Sequence, residues 1–205
     1  MKNYKFTENW FESDDLNNFT PKGTQKELHI LEIGSFEGKS AVWFLENLLQ
    51  NQNSSITCID PWTSYSQTND SFESYNSENT EWDFKNHKNT FLHNIKESGF
   101  ENKVNIIQGF SHEILPELIH KKKFDIIFID GNHTAPFVNT DAVFSWYMLK
   151  TDGLLIFDDY QWGKTKNLVG TTLAPKLAID SFVDCFSDYL EVIHKEWRLA
   201  IRKIK

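Results

Sequence analysis

Cysteine is scarce in this chain, with Cys58 and Cys185 the only two among 205 residues. Thiols so few and so far apart exclude a disulfide scaffold and a cysteine-built zinc site. They suit a reducing compartment, so the expected localisation is cytoplasmic. Glycine and proline are few as well, 9 and 5, which excludes collagen-like and low-complexity chains. No apolar run approaches the ~18 residues of a membrane span. The opening MKNYKFTENW has no signal-peptide core, so neither a membrane nor export is expected. Positive charge is in deficit, 21 Lys and Arg against 29 Asp and Glu, for a net charge of −8. Such a balance argues against nucleic acid as a partner. Of the two basic clusters, His120–Lys123 reads as a solvated turn and the tail RLAIRKIK as an edge strand guarded by charge.

What is present is an ordinary globular composition, 40% hydrophobic and 24% charged, long enough for one domain over residues 1–205 with a sizeable core. Strand and helix signals alternate along it. Short apolar runs mark strands at Leu28–Gly34, Ser55–Asp60, Val104–Gly109, Phe124–Gly131 and Gly153–Asp159. Between them, Ala41, Leu45, Leu48 and Leu49 recur at helical spacing, as do Phe84, Phe91, Leu92 and Ile95. SHEILPELIH predicts a short helix with Ser111 as N-cap, and Val138, Ala142, Trp146 and Leu149 line another that opens near Pro136. A helix over Pro175–Phe186 leads to two closing strands, Tyr189–His194 and Arg198–Ile204, too close together to pair other than antiparallel.

The pattern predicts an α/β fold: a doubly wound, Rossmann-like, seven-stranded, mostly parallel sheet with an antiparallel last strand. Residues 1–26 read as an N-terminal cover segment. Residues 63–80, serine-rich and without Lys or Arg, read as a polar insertion, either a lid or a floppy loop. The aromatics of Phe6–Phe11 either fold over the site or form a homodimer contact.

Ligands of such sheets bind outside the carboxyl ends of the strands. Four of the five leading strands end there in acids: Glu32, Asp60, Asp130 and the pair Asp158–Asp159. The first turn, LEIGSFEGKS, carries Gly34 and Gly38, which let backbone approach a ligand at a helix N-terminus. Phe36 stands where a dinucleotide fingerprint needs its second glycine, and the spacing is not that of a phosphate loop.

From Leu28 to Trp162 the chain resembles class I S-adenosylmethionine-dependent methyltransferases. The closer resemblance is to the metal-dependent O-methyltransferases of the catechol type and of the macrocin-type, sugar-modifying group. LEIGSFEGKS is similar to their first motif, and the resemblance implies cofactor binding by Glu32, Gly34, Ser35, Gly38 and Ser40. It also implies that Asp60 grips the ribose hydroxyls and that Ser111 and His112 of GFSH flank the adenine. Two adjacent hydroxyls suit the two acceptor oxygens of a carboxylate. Asp130 at the cleft belongs to both the cofactor set and the catalytic set.

IDGNH and FDDY resemble the metal motifs, implying Asp130, Asp158 and Asp159 as ligands of Mg²⁺ or another divalent cation. A hard dication removes the mutual repulsion of three carboxylates. The second strand-five ligand is an amide in the catechol type and an acid, Asp159, here. His133, three residues after Asp130, matches the catalytic base. The reading is O-methylation of a small hydroxylated molecule, of sugar or phenolic type. Alternatives are a nucleic-acid or protein methyltransferase of the same fold, or a cofactor-binding protein without catalysis. An N/D-P-P-Y motif of nitrogen-methylating nucleic-acid enzymes is absent after strand four. Trp62 either stacks on the adenine or fills a gap, while Tyr160 and Trp162 flank the acceptor entrance or pack in the core. His29, His87, His120, Asp141 and Asp180 are read as structural or solvent-facing.

Overall fold

The computed structural model describes residues 2–21, 25–63 and 84–205. Most of the insertion at 63–80 lies outside these residues. Seven strands form one sheet: β1 (His29–Ile33), β2 (Ser55–Asp60), β3 (Val104–Gln108), β4 (Phe124–Ile129), β5 (Leu149–Phe157), β6 (Leu190–Lys195) and β7 (Leu199–Lys203). Six helices accompany them among the described residues: α1 (Leu16–Phe19), α2 (Lys39–Asn47), α3 (Phe84–Ser98), α4 (Ser111–Leu118), α5 (Ala135–Met148) and α6 (Lys176–Cys185). No helix among the described residues is long and apolar enough to cross a membrane.

The strand order is β3-β2-β1-β4-β5-β7-β6, with β7 antiparallel to both its neighbours and the other pairings parallel. The chain runs outward from β1 to β3 and then returns to the far side of β1 with β4. That reversal opens a crevice above the carboxyl ends of β1 and β4.

Side-chain alternation divides the core between the two faces of the sheet. Leu31, Ile33, Ile127, Ile129, Leu155 and Phe157 pack with α4, α5 and α6. Ile30, Ile56, Ile126, Phe128 and Ile156 pack with α1, α2 and α3.

Four expectations are corrected. The basic tail is no edge strand: β7 lies between β5 and β6, where Leu199, Ala200 and Ile201 are fully buried. Each such Leu or Ile contributes about 1.5–3 kcal/mol by burial, more than flanking charges can add at an edge. Leu92 faces outward, 42% exposed, because the helix buries its Phe91 and Ile95 stripe instead. Phe110 occupies the N-cap position of α4 and Ser111 is its first helical residue. β5 begins at Leu149 rather than Gly153, directly after α5 ends at Met148, so no loop separates the two.

Candidate active site

A cavity of about 960 Å³ fills the crevice, lined by the ends of β1, β2, β4 and β5, the start of α4, the N-terminal segment and the turn between β6 and β7. Gly34 sets its floor. The residue has φ +87°, and a Cβ there would lie 2.0 Å from the Asp130 carbonyl oxygen, so only glycine lets the first turn reach the end of β4. Gly38, at φ +80° before α2, lies against the Phe91 ring. Phe36 and Trp62, which face this cavity, also hold positive φ, 45° and 43°. Non-glycine residues sit there only where their surroundings force it.

Asp60 organises the turn. Its Oδ2 accepts the N–H groups of Ser35 and Phe36 at 3.0 and 2.9 Å, and its Oδ1 accepts that of Trp62 at 2.7 Å. Burial pushes this carboxyl up, against the pull of those three donors. Lone-pair capacity remains on Oδ1, and Asp60 lines the cavity.

Glu32 lies beneath the turn and outside the cavity lining, completely buried. Ser35 and Ser40 donate hydroxyl hydrogen bonds to it at 2.5 and 2.6 Å. Burial raises it to about 7. Glu32 and Gly38 therefore shape the turn, whereas Gly34, Ser35, Ser40, Asp60 and Ser111 reach the cavity. His112 does not: it is exposed between Phe110 and Phe137. Its position on the outer side of α4 follows from helical geometry, since neighbouring residues point about 100° apart.

Trp62 is buried against Phe91, ring centroids 5.0 Å apart, and donates its indole N–H to the Phe36 carbonyl at 2.8 Å. His87, read as structural or solvent-facing, lines the cavity and pairs with the buried Glu37 at 2.9 Å. Thr7 donates its backbone N–H to the other oxygen of Glu37 at 2.7 Å, which ties the N-terminal segment to the first turn. Nothing local in the sequence marks Glu37 for that role.

At the opposite end stand Asp130, His133, Asp158 and Asp159. His133 Nε2 lies 3.1 Å from Asp159 Oδ2 and 3.8 Å from Asp130 Oδ1. Burial opposes protonation of this imidazole, but the two carboxylates prevail and carry it up to about 10. Burial raises Asp130 well above its ordinary range, assisted by Asp158. Asp159 is held low: burial works against its charge, and the His133 hydrogen bond and charge overcome it. Asp158 is raised by burial to about 6 despite its ion pair with Arg198. Arg198, itself buried, also pairs with Asp15 at 2.6 Å.

Among the described residues, the group whose ligand atoms converge within 4.8 Å is Asp130, His133 and Asp159. Asp158 is not among them, its carboxylate being engaged by Arg198. The two carboxylates of this group are hard oxygen donors that fit a divalent cation such as Mg²⁺ or Mn²⁺, with the imidazole beside them.

Trp162 packs edge-on to His133 at 5.0 Å and lines the cavity, while Tyr160 is buried and donates to Asp180 at 2.8 Å. Of the two, Trp162 lines the cavity and Tyr160 does not. Asp141 is not solvent-facing: it is 1% exposed on the inner side of α5, and burial raises it to about 7, with the Ser111 hydroxyl pulling the other way.

A family profile described as a methyltransferase domain matches residues 31–160. The chain belongs to that methyltransferase family. The match runs from β1 to Tyr160 and so includes the first turn, Asp60, Ser111 and the acidic end of the cavity. Among solved structures, this methyltransferase is similar to the O-methyltransferase TomG from Streptomyces achromogenes, in complex with SAM. The TM-score is 0.62 at 16% identity, covering 88% of this chain and 75% of TomG. It is also similar to the O-methyltransferase from Bacillus cereus in complex with SAH, with a TM-score of 0.59 at 17% identity, covering 87% and 76% of the two chains. No curated protein matches its sequence significantly.

Proposed function

We propose that this methyltransferase transfers the methyl group of S-adenosylmethionine to a hydroxyl oxygen of a small molecule, assisted by a divalent cation. The observation that carries the reading is one continuous cavity with two chemically distinct ends. At one end are the glycine turn, Asp60 and Ser111; at the other, Asp130, His133 and Asp159. A volume of about 960 Å³ has room for a nucleoside cofactor and a small acceptor together.

The residues divide the work. Asp60 presents an acceptor oxygen to the ribose hydroxyls, and Ser111 borders the adenine end. Phe36 and Trp62 close the wall above the first turn. Asp130, at the acidic end, is held beside the first turn by its backbone N–H, which is bonded to the Ile33 carbonyl at 2.8 Å and keeps the end of β4 against β1. His133 is placed to take the hydroxyl proton, but its two carboxylate neighbours keep it protonated near neutrality by themselves. A divalent cation held by Asp130 and Asp159 would acidify a bound hydroxyl and cancel the pull of those carboxylates on the imidazole. The transfer then balances: oxygen attacks the methyl carbon, the carbon–sulfur bond breaks, S-adenosylhomocysteine leaves, and the hydroxyl proton ends on His133. Charge is consumed at both the sulfonium and the oxygen, so a water-poor, preorganised cleft favours the step.

The test is direct. S-adenosylhomocysteine at a hundredfold excess over its dissociation constant should add about 2.7 kcal/mol of stability, roughly 5–11 °C in unfolding temperature. NAD should add nothing. A shift with NAD and none with S-adenosylhomocysteine overturns the reading. Methyl release in an acceptor screen should fall at least a hundredfold in Asp130→Asn.

A further inference from the structure

The mouth of the cavity is built for positive charge. Among the described residues, ten carboxylate residues line the cavity against two Lys or Arg side chains. Both cations are spoken for: Lys39 bonds Asn9, and Arg198 pairs with Asp158 and Asp15. The inner acids are engaged too, by backbone N–H groups, His87, His133 or Arg198. Four outer ones, Glu8, Glu12, Asp14 and Glu196, are exposed and have no ion-pair partner among the described residues. Trp10 and Trp197 stand among them, 61% and 52% exposed.

This rim is held in place from both sides. Trp10 stacks on Phe36 at 5.5 Å, Phe11 packs edge-on to Phe128, and Asp15 is tied to Arg198. Across the mouth, Arg198 anchors the turn that carries Glu196 and Trp197, and the Trp197 carbonyl accepts the Gln161 N–H at 3.3 Å. Among the described residues the rim acids form no converging group of metal ligands; the converging group is Asp130, His133 and Asp159. Dispersed carboxylates with exposed indoles suit a bulkier, diffusely charged partner, because an alkylammonium gains from both carboxylates and aromatic faces. They repel a polyanion for the same reason.

We propose that the methyl acceptor is a hydroxylated amine, entering with its protonated nitrogen toward Glu12, Asp14 and Glu196 and the indoles of Trp10 and Trp197. This rests on the methyltransferase reading, since it places the hydroxyl at the acidic inner end.

The probes are three catechols alike in shape and different in charge: dopamine, 4-ethylcatechol and 3,4-dihydroxyphenylacetate. Their affinity for the full-length protein, with S-adenosylhomocysteine and Mn²⁺ present, is read by tryptophan fluorescence at low salt. The expected order is dopamine tightest by about tenfold or more and the anion weakest. The preference should shrink several-fold in 0.5 M NaCl and in Glu12→Gln/Asp14→Asn/Glu196→Gln, with circular dichroism confirming that the variant is folded. No preference, a reversed order, a preference untouched by the triple substitution, or no dopamine binding overturns the proposal. The affinity for S-adenosylhomocysteine, measured first on the same protein, reports separately: its absence defeats the methyltransferase reading, whereas its presence with no charge preference defeats the amine alone.

Discussion

Arg198 meets Asp158 because the antiparallel register of β7 on β5 pairs Leu199 with Phe157, leaving the next residue of each strand side by side at the cleft. Reversal of β7 is what delivers its first end, rather than its last, to the carboxyl edge of the sheet. One guanidinium there neutralises a buried acid and, through Asp15, fastens the N-terminal segment over the cavity.

Removing that guanidinium strands Asp158 in a buried position. Breaking a buried pair from one side costs about 3–5 kcal/mol, so Arg198→Met should lower the unfolding temperature by roughly 6–20 °C. The double variant Arg198→Met/Asp158→Leu should recover a large part of that loss. Thermal unfolding of the four proteins in the cycle gives the coupling, and an unchanged temperature in the single variant would count against the ion pair.

Metal binding distinguishes two candidate ligand sets, Asp130 with Asp159 and the full triad of Asp130, Asp158 and Asp159. Mn²⁺ should raise the unfolding temperature of the protein, and Asp130→Asn or Asp159→Asn should abolish the rise. Asp158→Asn should retain it, since that carboxylate faces Arg198. Titration calorimetry with Mn²⁺ on the same set checks the assignment. Loss in Asp158→Asn as well would restore the triad inferred from the sequence.

Stability should fall as pH rises through the range set by Asp141. Its folded value of about 7 exceeds the ordinary 3.8, so between those limits the folded state binds more protons than the unfolded state. Burial of the charged form is what opposes folding above that range. Asp141→Asn should therefore flatten the profile and be more stable than the parent at pH 8, by on the order of 2–4 kcal/mol, with the advantage gone by pH 4. Urea midpoints at the two pH values decide it.

Glycine substitutions should separate strain from collision. Gly99 has φ +78°, and an added Cβ would meet nothing within 4 Å, so Gly99→Ala should cost about 1–2 kcal/mol, from backbone conformation alone. Gly34→Ala adds a backbone collision with Asp130 and should leave little folded protein. Soluble yield and circular dichroism of the pair test this. Equal behaviour would mean that the first turn and β4 are not in contact as described.

The linear order of residues determined the alternation of strands and helices, because apolar period and run length are local properties. It also placed Asp60, Asp130, Asp158 and Asp159 at one edge, since parallel strands joined by helices all end on the same side. The glycine turn was legible for the same reason: Gly34 precedes a helix directly after a strand. What could not be read were relations between distant segments. RLAIRKIK carries the apolar and charged residues of an edge strand, and only the competition among strands for neighbours puts β7 inside the sheet. The partnership of Glu37 with His87 and Thr7 joins three segments with no common motif. Asp158 and Asp159 are adjacent in sequence and look equivalent there. Successive residues point in different directions, so one meets Arg198 and the other meets His133, and their chemistry divides.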